Sequence, residues 1–368
     1  MKHKHALSAM RRQKTAGKKI IGCFPLYPPL EIFNAMGLLP IVLWNLKGDT
    51  ENLSESDKHI QNYACGIARE LVQFALSDTG CYLDAFFSYN ACDTLRNLPE
   101  ILMSSNKDAG RSVPMFRLHL PQVNRTQTNP NEYIKNEIFT LIQDIEKAFG
   151  LKFSLQSFQQ AAESYAKMRS LCLDAENLVA KRALSFSSFC SVILSGYFLP
   201  VEEQITNLMN LISTAETIPA IKGTDVLVSG IMPPPLQVLR IMEKAGLRVV
   251  ANDIASLKRS YNYSPKITEN PGDYYIDYYA NRFSCTTMLY QSDIRVQTFL
   301  DLVESSGAQG VIFLGEKFCE YEYFEFPYLE KQLKDKGIPV LQLEFSIDDI
   351  QNAGSYSTRI EAFVEMLN

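Results

Sequence analysis

Lys19 to Phe24 (KIIGCF) is a short continuous apolar run that ends at Pro25-Leu-Tyr-Pro-Pro. Leu30 to Met36 then carries apolar residues at helical spacing, with Gly37 where a C-cap belongs. Leu39 to Trp44 (LPIVLW) is again strand-like, and comparable runs recur at Leu83 to Ser88 and Val113 to Leu118. Strand, loop, helix, strand in repeated order predicts βαβ units and a mostly parallel sheet.

From Asn131 to about Met209 the pattern changes. NEYIKNEIFTLIQDIEKAFG and SLQSFQQAAESYAKMRSLCLDAENLVAKRAL place apolar residues three and four apart among charges, which predicts helices separated at Phe149-Gly150. Thr224 to Gly230 (TDVLVSG) restarts the α/β pattern, with a helix over Leu236 to Ala245 and a strand over Arg248 to Ala251. Further along lie a helix near Ile294 to Ser305, a strand over Gly310 to Leu314, a helix over Tyr328 to Lys336, a strand over Pro339 to Glu344 and a last helix over Ser357 to Leu367. The predicted organisation is an α/β fold: a disordered basic leader (1–18), an N-terminal α/β domain (19–125), a helical domain (126–220) and a C-terminal α/β domain (221–368). The two parallel-sheet domains are expected to be Rossmann-like, and their similar plan suggests duplication.

The chain has 368 residues, 46% of them hydrophobic, enough for two or three domains with cores of their own. A net charge of -5 gives no general attraction to nucleic acid or anionic lipid, so neither is an expected partner. The basic opening MKHKHALSAMRRQKTAGKK leads into a strand without a signal-peptide core, and no long apolar run occurs, so the expectation is a cytoplasmic protein. Of four histidines, His3 and His5 lie in the leader, leaving His59 and His119; this argues against an imidazole metal site or a Ser-His-Asp hydrolase. Eight cysteines without a secretory context point to metal ligation or burial rather than disulfides.

Ligands of open parallel sheets gather beyond the carboxyl ends of strands. Cys92 follows the strand LDAFFSYN, Cys319 follows GVIFLGEKF, and Cys65 opens a helix over Ala64 to Leu76, where N–H groups favour a thiolate. No C-x-x-C spacing links them, and an ordinary buried thiol is the alternative for each. Cys172 and Cys190 lie on apolar helix faces and Cys81 precedes a strand, so core filling accounts for these three. Cys23 ends the first strand and Cys285 follows Arg282-Phe-Ser; both stay open as additional ligands or as thiols that shape a pocket.

The segments GCFPLYPPLEIFNAMGLLPIVLWN, YACGIARELVQFAL, LDAFFSYNACDTLRNL, VLVSGIMPPPLQVLRIMEKAGLRVVANDIAS, GVIFLGEKFCEYEYFEFPYLEKQLKDKGIPVLQLE and STRIEAFVEML resemble, in this order, segments of the 2-hydroxyacyl-CoA dehydratase and benzoyl-CoA reductase family. The most specific matches are the Pro-x-x-Glu turn ending at Glu31, the Cys92-Asp93 pair, Gly-Glu-Lys-Phe-Cys ending at Cys319, and Thr358-Arg359-Ile-Glu-Ala-Phe.

The resemblance implies that Cys65, Cys92 and Cys319 hold a [4Fe-4S] cluster between the α/β domains, with one iron left to a non-protein ligand. A double-cubane [8Fe-9S] cluster stays open through Cys23 and Cys285. It further implies an anaerobic radical elimination of water from a 2-hydroxyacyl-CoA thioester, a lyase reaction. The alternatives are a subunit of an ATP-dependent benzoyl-CoA reductase, a double-cubane reductase, or a non-catalytic partner subunit. Implied partners are a related second subunit, the acyl-CoA substrate and an ATP-hydrolysing iron–sulfur activator, because this chain carries no G-x-x-x-x-G-K-[ST] loop. In the family the loop before Glu31 forms part of the substrate pocket, which makes Glu31 and Tyr27 candidate proton-handling residues; the competing reading of Glu31 is a dipole-favoured acid in a first helical turn. Asp93, Arg96 and Lys317 flank candidate ligands and would tune the cluster, or cap a helix in the case of Asp93. Arg359 is expected to pair with a carboxylate across domains or with a CoA phosphate.

Overall fold

The structure is a computed structural model that describes residues 4–44, 46, 53–122, 129–215, 222–288, 292–346 and 353–367. The chain runs α1 (Lys4–Thr15), β1 (Lys19–Cys23), α2 (Leu30–Ala35), β2 (Leu38–Val42), α3 (Gly66–Leu76), β3 (Ala85–Tyr89), α4 (Asp93–Asp108) and β4 (Met115–Leu118). Four helices follow: α5 (Asn131–Phe149), α6 (Leu155–Ala180), α7 (Phe186–Gly196) and α8 (Val201–Ala215). The remainder is β5 (Thr224–Gly230), α9 (Leu236–Lys244), β6 (Leu247–Ile254), α10 (Lys258–Tyr261), α11 (Pro271–Asn281), α12 (Ser292–Ser306), β7 (Gly310–Glu316), α13 (Glu320–Asp335), β8 (Val340–Phe345) and α14 (Ala353–Leu367).

Two four-stranded sheets result, with orders β2-β1-β3-β4 and β6-β5-β7-β8, and every pairing is parallel. Each sheet is therefore an α/β unit of one topology, as the repeated pattern predicted. Most of the strands are buried on both faces: β1 shows only Lys19 exposed, and β2, β3, β6 and β7 are buried throughout, whereas the edge strands β4 and β8 alternate. Continuous apolar runs rather than alternating ones are what a two-sided cover of helices demands.

Contacts divide the chain into two units instead of three domains. The first comprises 1–169, 194–204 and 263–282; the second comprises 170–193, 205–262 and 283–368. The helical segment does not stand as a domain of its own: α5 belongs to the first unit, while α6, α7 and α8 each contribute residues to both, α6 changing unit after Arg169. The segment expected as a disordered leader is also corrected. Residues 4–15 form α1, with Met10 fully buried and Lys14 bonded to both oxygens of Asp84 at 2.7 and 2.8 Å. His3 lies outside the described residues.

Within the second unit, Leu227, Phe299, Val311, Leu329 and Leu333 pack between the sheet and helices α12 and α13. Helix α13 begins two turns earlier than its pattern predicts, and Pro327 is accommodated inside it. Gly230 at the end of β5 has φ 153, and a Cβ there would lie 2.5 Å from the Leu314 carbonyl oxygen, so only glycine allows β5 and β7 to approach this closely.

Candidate functional site

In each sheet the strand order reverses at the first strand, so the crevice for a ligand opens between the carboxyl ends of β1 and β3 in one unit and of β5 and β7 in the other. Cys92 follows β3 and is the N-cap of α4, its Sγ accepting the Leu95 N–H at 3.4 Å. Cys319 follows β7 and is the N-cap of α13. These two cysteines hold the same topological place in the two sheets. Cys65 is the N-cap of α3. All three are half-buried, and all eight cysteines are thiols.

A helix N-terminus favours negative charge on a group at its cap, which is the polarity an anionic cluster would need. Cys65 and Cys92 belong to the first unit and Cys319 to the second. Among the described residues, no three His, Cys, Asp or Glu side chains are grouped closely enough to hold a metal ion.

The other cysteines differ. Cys23 is fully buried at the end of β1, and burial raises its pKa well above the ordinary thiol value, which disfavours the ligating thiolate. Cys285 is buried but takes a 3.6 Å contact from Arg259 Nη1 and lies 3.4 Å from Thr287 Oγ1. Cys172 and Cys190 are buried as predicted, whereas Cys81 is exposed because it falls in the turn before β3 rather than under the sheet.

Glu31 is fully buried in the first turn of α2. Its Oε1 accepts Arg169 Nη2 at 2.5 Å and the Tyr274 hydroxyl at 3.0 Å, and its Oε2 accepts the Tyr275 hydroxyl at 2.6 Å. Burial works against its ionisation, but the Arg169 charge and the hydrogen bonds from Tyr275 and Arg169 outweigh burial and hold its pKa below the ordinary value. The carboxylate is thus held ionised and fixed in place by three donors. Tyr27 is also buried; its φ of 74 is a left-handed conformation unusual for a tyrosine, and Arg282 lies over its ring.

Sequence reasoning did not find Arg169, Tyr274, Tyr275 or Arg282. The signal for α11, which carries the tyrosines, is Asn270-Pro271: Asn270 caps the helix by accepting the Gly272 and Asp273 N–H groups, with Pro271 at the first helical position.

Nor did it find the second buried cluster, centred on Asp253 at the end of β6. Arg259 bonds its two oxygens at 2.9 and 2.7 Å, Arg295 bonds them at 3.1 and 2.6 Å, and Arg295 also reaches Glu325 at 2.9 Å. Near β7, Glu322 is fully buried, its Oε2 accepting the Glu316 N–H at 3.0 Å, and burial pushes its pKa up to about 8.

Asp93 and Arg96 pair with each other at 3.1 Å on the surface. Lys317 extends over the Phe318 ring. Arg359 falls in the middle of α14, not near its start, and donates to the Gln342 carbonyl oxygen at 2.6 Å rather than to a carboxylate.

Two parallel α/β units, each ending a strand in a cysteine-capped helix, define the class. The 2-hydroxyglutaryl-CoA dehydratase D-component family model matches residues 25–367, and the chain belongs to that family. It is 28% identical to the (R)-phenyllactyl-CoA dehydratase beta subunit of Clostridium sporogenes, over 97% of this chain and 94% of that one. It is 27% identical to the beta subunit of (R)-2-hydroxyglutaryl-CoA dehydratase from Acidaminococcus fermentans, over 97% and 95%. One of the subunits of benzoyl-CoA reductase from Thauera aromatica is 25% identical over 92% and 89%. Among the described residues, no helix is long and apolar enough to cross a membrane.

Proposed function

We propose that the chain is the iron–sulfur subunit of an anaerobic 2-hydroxyacyl-CoA dehydratase, acting with a related second subunit and an ATP-hydrolysing iron–sulfur activator in the cytoplasm. The observation that carries this reading is the position of Cys65, Cys92 and Cys319, each the N-cap of a helix and two of them at equivalent strand ends. Membership of the dehydratase family and the dehydratase beta subunits among its relatives support it.

These three cysteines would hold a [4Fe-4S] cluster, which when bound supplies single-electron transfer to a thioester. The chain's own contribution is positional. The helix N-termini favour negative charge at all three caps, and at Cys92 the Leu95 N–H is already aimed at Sγ. The Glu31–Arg169 pair and the Arg282–Tyr27 stack hold the loop from Pro25 to Pro29 in one conformation beyond β1. Glu31 is assigned to positioning rather than proton transfer.

Anaerobic purification with iron and sulfide counting, followed by spectra with and without a 2-hydroxyacyl-CoA, tests the reading. About four irons and a substrate-induced spectral change support it. About eight irons indicate a double cubane instead, and an iron-free protein overturns it.

A further inference from the structure

A pocket of ≈ 210 Å³ opens in the first unit beyond the carboxyl ends of β3 and β4. Its wall includes Asn90 from the end of β3, Arg117 and His119 from β4 and just after it, Arg96 from α4 and Glu137 from α5. None of these residues belongs to the Glu31 cluster; Arg96 meets the Cys92 cap through its backbone N–H, which donates to the Cys92 carbonyl oxygen at 2.8 Å, and turns its side chain to the pocket. The framework is rigid where it matters: Asn90 clasps the β4 end through both its amide atoms, Oδ1 accepting the Leu120 N–H at 2.8 Å and Nδ2 donating to the Leu120 carbonyl at 2.9 Å. His119 is fixed by its backbone N–H to Glu137 Oε2 at 2.8 Å, and its Nδ1 lies 3.0 Å from the Tyr133 hydroxyl.

The two arginines have exposed carboxylates as their charge partners. Arg96 pairs with Asp93 at 3.1 Å; Arg117 pairs with Glu100 at 2.7 Å and also touches Met103 Sδ at 3.2 Å. Asp93 and Glu100 are 72% and 70% exposed. Such surface pairs contribute little and exchange readily for a better partner. A phosphate is that partner, because a guanidinium fork matches its oxygens two at a time and the charge-assisted bonds are stronger. The site lies at strand carboxyl ends, where parallel sheets bind ligands, and is lined by the β3 end that leads into Cys92 two residues after Asn90.

We propose that this pocket binds a phosphate group of the coenzyme A portion of the substrate, with Arg96 and Arg117 as its ligands; this rests on the acyl-CoA reading of the preceding subsection. Glu137 is the carboxylate of the wall and opposes an anion there.

Isothermal titration of the anaerobic holoprotein, assembled with its partner subunit, with coenzyme A and with phosphate-free pantetheine tests the proposal. Wild type should bind coenzyme A more tightly than pantetheine. Arg117→Ala and Arg96→Ala/Arg117→Ala should each weaken coenzyme A, the double variant by about tenfold or more, while leaving pantetheine binding unchanged, and Arg117→Ala should keep the wild-type iron content. Glu137→Gln, which keeps the acceptor for His119 N–H, should tighten coenzyme A, a gain that a damaged fold would not produce. Equal coenzyme A affinity in wild type and the double variant overturns the phosphate site alone. Failure of wild type to bind coenzyme A overturns both the acyl-CoA reading and this site.

Discussion

The Glu31 carboxylate and the Arg169 guanidinium meet at 2.5 Å with side chains 1% and 3% exposed, an ion pair removed from water and completed by two tyrosine hydroxyls. Removing one member leaves the other charged in the interior. Glu31→Gln is therefore expected to destabilise by about 3–5 kcal/mol in urea denaturation, whereas the paired replacement Glu31→Leu/Arg169→Met should recover most of that loss. Because the folded-state pKa of Glu31 is depressed, its contribution is present above the ordinary value of 4.5 and lost as pH falls below it. Wild type should lose stability on acidification through that region more than Glu31→Gln does.

Asp253 predicts a similar dependence at lower pH. Burial opposes its ionisation, but Arg259 and Arg295 together bring its pKa from 3.8 to about 2. Its contribution is full above 3.8 and disappears as pH falls towards 2. Asp253→Asn removes the carboxylate that faces Arg259 and leaves Arg295 with Glu325 alone, and should be strongly destabilising at pH 7. Its urea midpoint should vary less between these two pH values than that of wild type.

Glu322 runs the other way. Its folded pKa of about 8 exceeds the ordinary 4.5, so the native state holds a proton that the unfolded chain has lost. Stability is full below 4.5 and falls as pH rises through 8. Glu322→Gln, which can still accept the Glu316 N–H, should flatten that slope in denaturant titrations across this range. At alkaline pH it should be more stable than wild type.

The strands were legible because burial on both faces writes itself as an uninterrupted apolar run, and Thr224 to Gly230 is a strand with the bounds its sequence predicts. The positions of Cys92 and Cys319 followed from those strands. Helix α1 was hidden by its charges, which mask the apolar position at Met10 that it buries. Helix α11 was hidden because Tyr274, Tyr275, Tyr278 and Tyr279 suit strands as well as helices, so only its cap distinguished it. The partners of Glu31 and Asp253 are remote in sequence: Arg169 stands 138 residues from Glu31, and Arg295 stands 42 from Asp253. No local pattern encodes such pairs; each is an arginine among other arginines until the fold brings it to its carboxylate.

Iron bound per chain, measured anaerobically on wild type and on Cys65→Ser, Cys92→Ser and Cys319→Ser beside the Cys172→Ser control, tests the central claim most directly. Wild type and Cys172→Ser should hold about four irons, and each of the other three variants should lose most of them with unchanged far-ultraviolet circular dichroism. An iron-free wild type, or full iron retention when any of the three capping cysteines is replaced, would contradict the account.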